Sequence, residues 1–185
     1  MNQIFEQQPT LFNDSFPTYF ETYSQLLKLY TSNKITYDIF IKNNKFEKHY
    51  FTPESDEELK TAVDMWCNNE KEALIKYGHI SSWNITYIIN MERLLYNKLE
   101  FNEDISNWNV SNVENMSFMF AGAKNFNQPL NNWNVDNVKN MSHMFYGAEN
   151  FNQPLNTWNV SNVVYMNHMF YGAENFNQPL NTWNV

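Results

Sequence analysis

The sequence predicts an α/β repeat protein: a solenoid of short parallel strands and helical turns, covered at its N-terminal end by an α-rich cap. Three observations lead there. Residues 101–185 repeat with a period of 25 and no gaps. Each period carries two hydrophobic spacings, one of strand type and one of helix type. The stretch ahead of the repeats reads as amphipathic helix with its own start signal.

In chain order, residues 18–31 place Phe20, Tyr23, Leu27 and Tyr30 on one face of a helix. Residues 35–41 and 46–51 read as strand-prone, separated by the turn signal Lys42-Asn43-Asn44. Residues 1–51 are then either an extension of the cap or a small docking element. From Pro53 the pattern turns helical. Ser55 and Glu58 suit a capping box, Leu59, Val63 and Trp66 form an apolar stripe, and a break at Asn68-Asn69 precedes a second helical stretch ending at Gly78. Residues 52–78 are read as the helical cap, because the end of a repeat array needs a polar outer face.

The solenoid is assigned to 76–185: a degenerate unit 76–100, the units 101–125, 126–150 and 151–175, and a partial unit 176–185. The second and third complete units agree at 20 of 25 positions, and Trp83, Asn84 and Met91 fall in register with Trp108, Asn109 and Met116. Within a unit, Trp133 and Val135 flank Asn134, the alternation of a half-buried strand. Strands are therefore expected at 83–85, 108–110, 133–135, 158–160 and 183–185. Val138, Met141, Met144, Phe145 and Ala148 follow at helical spacing, with Ser111, Asp136 and Ser161 as N-cap candidates, Ser111 and Glu114 as a capping box, and Gly122, Gly147 and Gly172 near the helix ends. One unit cannot bury its Trp, Met and Phe alone, so neighbours must stack.

The spacing of Leu130, Trp133, Val135 and Val138 resembles the L-x-x-L-x-L-x-x-N frame of leucine-rich repeats, which implies a leucine-rich-repeat-like, right-handed solenoid. The unit W-N-V-S-N-V-x-x-M-x-x-M-F-x-G-A-x-x-F-N-Q-P-L resembles the BspA-like surface-protein repeat, also known as a domain of unknown function in mycoplasmas. The segment from Glu58-Leu59-Lys60 through Trp66, continuing as Tyr77-Gly78-His79-Ile80 and Trp83-Asn84-Ile85, is similar to the lead-in segment of such repeats in giant DNA viruses and some protists. The resemblance implies a non-enzymatic scaffold with no catalytic motif.

Composition narrows the function classes. At 43% hydrophobic and 17% aromatic, the chain can bury enough apolar surface to offset chain entropy. With 12 Lys+Arg against 20 Asp+Glu it lacks the cationic footprint that phosphate backbones require, so nucleic acid is not an expected partner. No apolar run reaches the roughly 18 residues of a membrane span. The lone Cys67 excludes an internal disulfide, and the first residues show no basic and then apolar leader pattern. An intracellular (host cytoplasm) or virion location is expected. There is no glycine-rich phosphate loop, H-E-x-x-H or G-x-S-x-G, so neither an enzyme nor a cofactor is expected. Asparagine reaches 32 residues, 22 of them after residue 100, which ties the asparagine-rich character to the repeats.

Four candidate features emerge. Phe118, His143, Tyr146, Val164, His168 and Tyr171 fall on the outward side of the helical half and resemble interface anchors. His143 and His168 share one repeat position about 5 Å apart, either as a metal-chelating pair or as an exposed ladder, and the ladder is preferred. Asn109, Asn134 and Asn159, with Asn107, Asn132, Thr157, Thr182 and Asn184, form an uncharged array that either binds a polar partner such as a glycan or pairs with itself. Trp183 and Val185 line an open solenoid end, to be covered by a longer array or by a second copy in a two-fold contact. The expected function is a non-enzymatic repeat scaffold for protein–protein interaction. Alternatives are a minor capsid or virion component of a large DNA virus, joining copies or capsid subunits, and a glycan-binding surface module.

Overall fold

Ser55 opens the first helix as its sequence context requires. Its side chain accepts a hydrogen bond from the Glu58 amide at 3.2 Å, while the Glu58 carboxylate reaches back to the Glu54 amide at 2.8 Å. Helix α1 (Asp56–Asn68) carries Asp56, Glu57 and Glu58 in its first turn and buries Leu59, Ala62, Val63 and Trp66. Asn69 then serves both helices: its amide caps α1 through the Met65 carbonyl, and its side chain accepts from the Glu72 amide to start α2 (Glu70–Tyr77). Gly78, at φ 72°, ends α2. A 3-10 turn, Ile80–Ser82, leads into the repeats.

This computed structural model describes residues 51–184. The helix expected over 18–31 and the strand-like segments over 35–41 and 46–51 lie outside the described residues, Phe51 apart, and so does Val185.

Among the described residues, the repeats differ from the expected strand and helix halves. The W-N-V segments carry no bridge. Parallel bridges instead join Asn90 to Asn115, Asn115 to Asn140, and Asn140 to Tyr165, inside the stretch that has helical spacing. That stretch is a chain of overlapping turns. Met119, Ala121 and Ala123 donate their amides to the carbonyls of Met116, Phe118 and Phe120, three residues back. The amides between them, those of Met116, Phe118, Phe120 and Gly122, donate to Asn140, Ser142, Met144 and Tyr146 of the next unit at 2.9, 3.0, 2.9 and 2.7 Å. The pattern recurs from Met91, Arg93, Leu95 and Asn97 to the unit at 115–121, and from Met141, His143, Phe145 and Gly147 to the unit at 165–171.

An α-helix would have closed every one of these amides on its own carbonyls and left none for the neighbouring unit. Three-residue turns also bring positions three and four apart onto one side, so the apolar spacing imitates a helix. The burial it implies is correct: Val138, Met141, Met144, Phe145 and Ala148 are all buried.

The proposed helix signals have other duties. Ser111, Asp136 and Ser161 donate their amides to the side chains of Asn109, Asn134 and Asn159, forming Asx turns rather than N-caps. Gly122, at φ 72°, sits where an added Cβ would lie 2.3 Å from the Asn97 side-chain oxygen, and its amide bonds the next unit.

Side chains continue the stack. Phe120 and Phe145 lie 5.3 Å apart at 1°, Phe145 and Phe170 5.5 Å apart at 3°, and Phe126 and Phe151 5.9 Å apart at 7°. From Trp108 onward each repeat indole donates to a carbonyl of the preceding unit: Trp108 to Ile80, Trp133 to Ile105, Trp158 to Leu130 and Trp183 to Leu155. Buried rings thus lose no hydrogen bond on burial. At the start of the repeats Trp83 is enclosed by Phe51, Trp66 and Tyr77, with ring centroids at 5.2, 6.1 and 5.9 Å. Lys98 pairs with Asp64 of α1 at 2.7 Å.

Trp133→Ala should leave a cavity inside the stack and remove one of the two hydrogen bonds that the Ile105 carbonyl accepts, the Trp108 amide remaining, a loss of about 3–5 kcal/mol. Urea unfolding checks it: a midpoint equal to that of the parent would contradict the buried indole.

Candidate functional site

One repeat position keeps side chains on left-handed backbone. Arg93, Phe118, His143 and His168 have φ of 57°, 56°, 58° and 54°. L-residues adopt this region at a steric cost that glycine avoids. Their side chains form a column along the stack. The Arg93 guanidinium lies 5.0 Å from the Phe118 ring, Phe118 and His143 are parallel at 4.4 Å, and His143 and His168 follow at 5.1 Å, tilted by 39°. A tyrosine row runs beside it. Tyr146 and Tyr171 stack at 5.1 Å, Tyr146 lies 5.7 Å from His143 and Tyr171 6.0 Å from His168. Tyr96 meets Phe118 edge-on at 6.4 Å and lies under Arg93.

The outward residues expected from the sequence therefore come together, with one exception. Phe118 and His143 are half-buried, His168 is exposed, and Tyr146 and Tyr171 are 41% and 63% exposed. Val164 is exposed too, but it belongs to the column of Ile89, Glu114 and Lys139, where Lys139 pairs with Glu114 at 2.6 Å. Arg93 and Tyr96 were missed by sequence reasoning. Subtracting one period from Phe118 and Ala121 reaches both, although residues 76–100 are the degenerate unit.

The histidine pair is poorly built for a metal. His143 Nδ1 is buried without a hydrogen-bond partner. Ligation through Nε2 would leave the ring proton on that nitrogen, which has nothing to receive it. Among the described residues no group of three or more His, Cys, Asp or Glu side chains could hold an ion.

The asparagine array is exposed as expected, but its acceptor atoms are engaged. Asn109, Asn134 and Asn159 each accept the amide two residues ahead. The amide group of Asn159 also donates to Asp136 at 3.0 Å. Other asparagines and glutamines tie the units together: Gln128 to Asn102, Gln153 to Asn127 and Gln178 to Asn152. At the far end, Trp183 is half-buried and stacks on Trp158 at 6.4 Å. The amides of Met166, His168, Phe170 and Gly172, equivalent to the inter-unit donors, have no acceptor among the described residues.

A cleft of about 350 Å³ lies between the end of α1 and the first repeat, lined among others by Trp66, Cys67, Asn97, Lys98, Phe101 and Glu103. Burial pushes the Cys67 thiol up to about 11, against the opposing pull of Lys98. Burial also raises the Glu103 carboxyl, aided by Glu70, and lowers the His79 imidazole. His79 Nδ1 faces the Ser81 hydroxyl at 2.7 Å and accepts from its amide, while Nε2 is 3.7 Å from Glu103. A thiol held protonated is not a nucleophile at neutral pH.

No helix among the described residues is long and apolar enough to cross a membrane. What remains is a tandem-repeat protein whose units are hydrogen-bonded one to the next and whose most distinctive surface is an aromatic column. The chain belongs to the family described as "Mycoplasma protein of unknown function, DUF285", which matches residues 63–183. Comparisons with curated proteins and with solved structures gave no match.

Two solution properties follow from the cleft. With its thiol at about 11 rather than the ordinary 9.0, Cys67 should alkylate with iodoacetamide at pH 8 about a hundredfold more slowly in the folded chain than in urea. Equal rates would remove the burial argument. His79, depressed below its ordinary 6.5, contributes stability that is full above about pH 6.5 and is lost as pH falls through its folded value. Glu103, raised above its ordinary 4.5, works in the opposite sense, losing its contribution as pH rises through its folded value. Urea midpoints between pH 7.5 and 5 should therefore fall less in His79→Asn than in the parent; parallel curves would contradict a buried neutral imidazole.

Proposed function

We propose that residues 76–185 form a right-handed, leucine-rich-repeat-like solenoid serving as a non-enzymatic scaffold, and that it binds a protein partner through the aromatic column. Its contact residues are Phe118, His143, Tyr146, His168 and Tyr171, continued by Arg93 and Tyr96. The carrying observation is that Arg93, Phe118, His143 and His168 occupy left-handed backbone positions. Glycine would adopt that conformation at lower steric cost, yet this chain places a cation and three rings there. Strained residues that cluster on a surface point to a use for their side chains. Tyrosine and arginine are also residue types that carry interface energy, tyrosine because its large rigid face loses little entropy on contact.

The BspA-like resemblance of the repeat supports a scaffold role in the same direction. The glycan reading draws less support, because the asparagine oxygens that would meet sugar hydroxyls already accept backbone amides.

The test is a paired substitution, Tyr146→Ser with Tyr171→Ser. The urea midpoint should shift little, while affinity for a native-source partner falls about a thousandfold, the effect of losing about 2 kcal/mol at each of two anchors. Loss of the fold with retention intact would make these rings part of the core and sink the proposal.

A further inference from the structure

At each junction between repeats, one carbonyl of the earlier unit receives two consecutive amides of the later one. Ile89 accepts from Glu114 and Asn115 at 2.8 and 3.4 Å, Glu114 from Lys139 and Asn140 at 2.8 and 3.4 Å, and Lys139 from Val164 and Tyr165 at 2.8 and 3.1 Å. The first unit has the same pair of amides, Ile89 and Asn90, but no repeat before it among the described residues. Both donate to Asp56 Oδ1, at 3.0 and 3.2 Å. Asp56 is the first residue of α1. One carboxylate oxygen therefore stands where a preceding unit would supply a backbone carbonyl.

A second substitution of the same kind accompanies it. Every later indole donates to a carbonyl 28 residues back, whereas Trp83 donates to the Gly78 carbonyl at 3.2 Å, at the C-terminal cap of α2. The two ends of the helical pair thus each provide one acceptor that the repeats otherwise obtain from each other.

We infer that α1 and α2 act as a surrogate repeat, with Asp56 the positioning residue that sets the register of the first unit and closes this end of the array to any further coil. The requirement is one of geometry, since both bonds lie at an exposed edge of the junction. The Ile89–Asn90 amides converge on a single acceptor, and an apolar helix surface laid against them would leave two donors without a partner. A carboxylate meets the requirement well, because an ionised oxygen accepts more than one hydrogen bond and makes each stronger than a neutral carbonyl does. Register follows, since a helix displaced by one residue along the repeat would bring Asp56 to neither amide. The array is consequently directional, with the helical end already satisfied. The inference rests on the stacking of the units, not on the partner surface, so the two can fail separately.

Backbone amide exchange of the whole chain, read residue by residue, tests it with two variants. Asp56→Ala should speed exchange at Ile89 and Asn90 at least tenfold while leaving Lys139 and Asn140 unchanged. Asp56→Asn keeps an oxygen in place and should stay within about threefold of the parent at both amides. Unchanged protection in Asp56→Ala overturns the inference. So does equal loss in both variants, which would assign the effect to the charge at the start of α1. Should Asp56→Ala fail to fold, Asp56→Asn decides alone: parental protection at Ile89 and Asn90 supports the surrogate carbonyl, and exposed amides refute it.

Discussion

Everything in the repeats depends on how the backbone amides of residues 115–123 and their equivalents are divided. Alternate amides close three-residue turns within the unit, and those between them cross to the carbonyls of the next. A turn closed this way leaves half of its polar groups pointing along the stack, so a unit on its own would hold four unsatisfied donors on one side and four acceptors on the other. Neither side is satisfied until a neighbour arrives in register. Cohesion between units is thus written into the main chain, and the side chains refine it.

Three features follow from that division. The spacing between units is set by hydrogen-bond length, which brings equivalent rings to 5–6 Å and makes parallel stacking of Phe120, Phe145 and Phe170 the natural arrangement. Asparagine becomes the most useful polar residue. At Asn115 and Asn140 its side chain accepts from Ser117 and Ser142, whose amides neither the turns nor the ladder use. The backbone must also enter the left-handed region at 93, 118, 143 and 168 to keep alternate amides aimed along the stack. That one constraint projects the Arg93–Phe118–His143–His168 column from the surface, where the proposed partner contact lies.

Charge is used sparingly and in the same geometry. Lys139 meets Glu114 at 2.6 Å, and Lys124 meets Glu149 at 2.7 Å, each pair one period apart. Both pairs are exposed and contribute little to stability. Their positions in adjacent units favour the observed register over a neighbour displaced by a residue. Where the repeats meet the helices, Asp56 and Lys98 do for the first unit what backbone and side chains do between later ones. A solenoid with a helical cap is the proposed reading of these observations; the family match over residues 63–183 takes in the end of α1, all of α2 and most of the repeats.

The sequence by itself determined the 25-residue period, the burial of Leu59, Val63 and Trp66 and of the stripe from Val138 to Ala148, and the helical pair with its breaks at Asn69 and Gly78. These follow from hydrophobic spacing and local capping, which act over three or four residues and need no distant partner. It also brought Phe118, His143, Tyr146, His168 and Tyr171 to one side, because equal spacing in equal units projects equal positions together. Only the tertiary structure decided that the helix-spaced half is a run of turns, since turn and helix share an apolar spacing and differ in where their amides go. That choice depends on carbonyls 24 residues away in the chain. The same holds for Asp56, which reads locally as a first-turn acid of α1. Its second role appears only once Ile89 and Asn90, 33 and 34 residues further on, are brought against it.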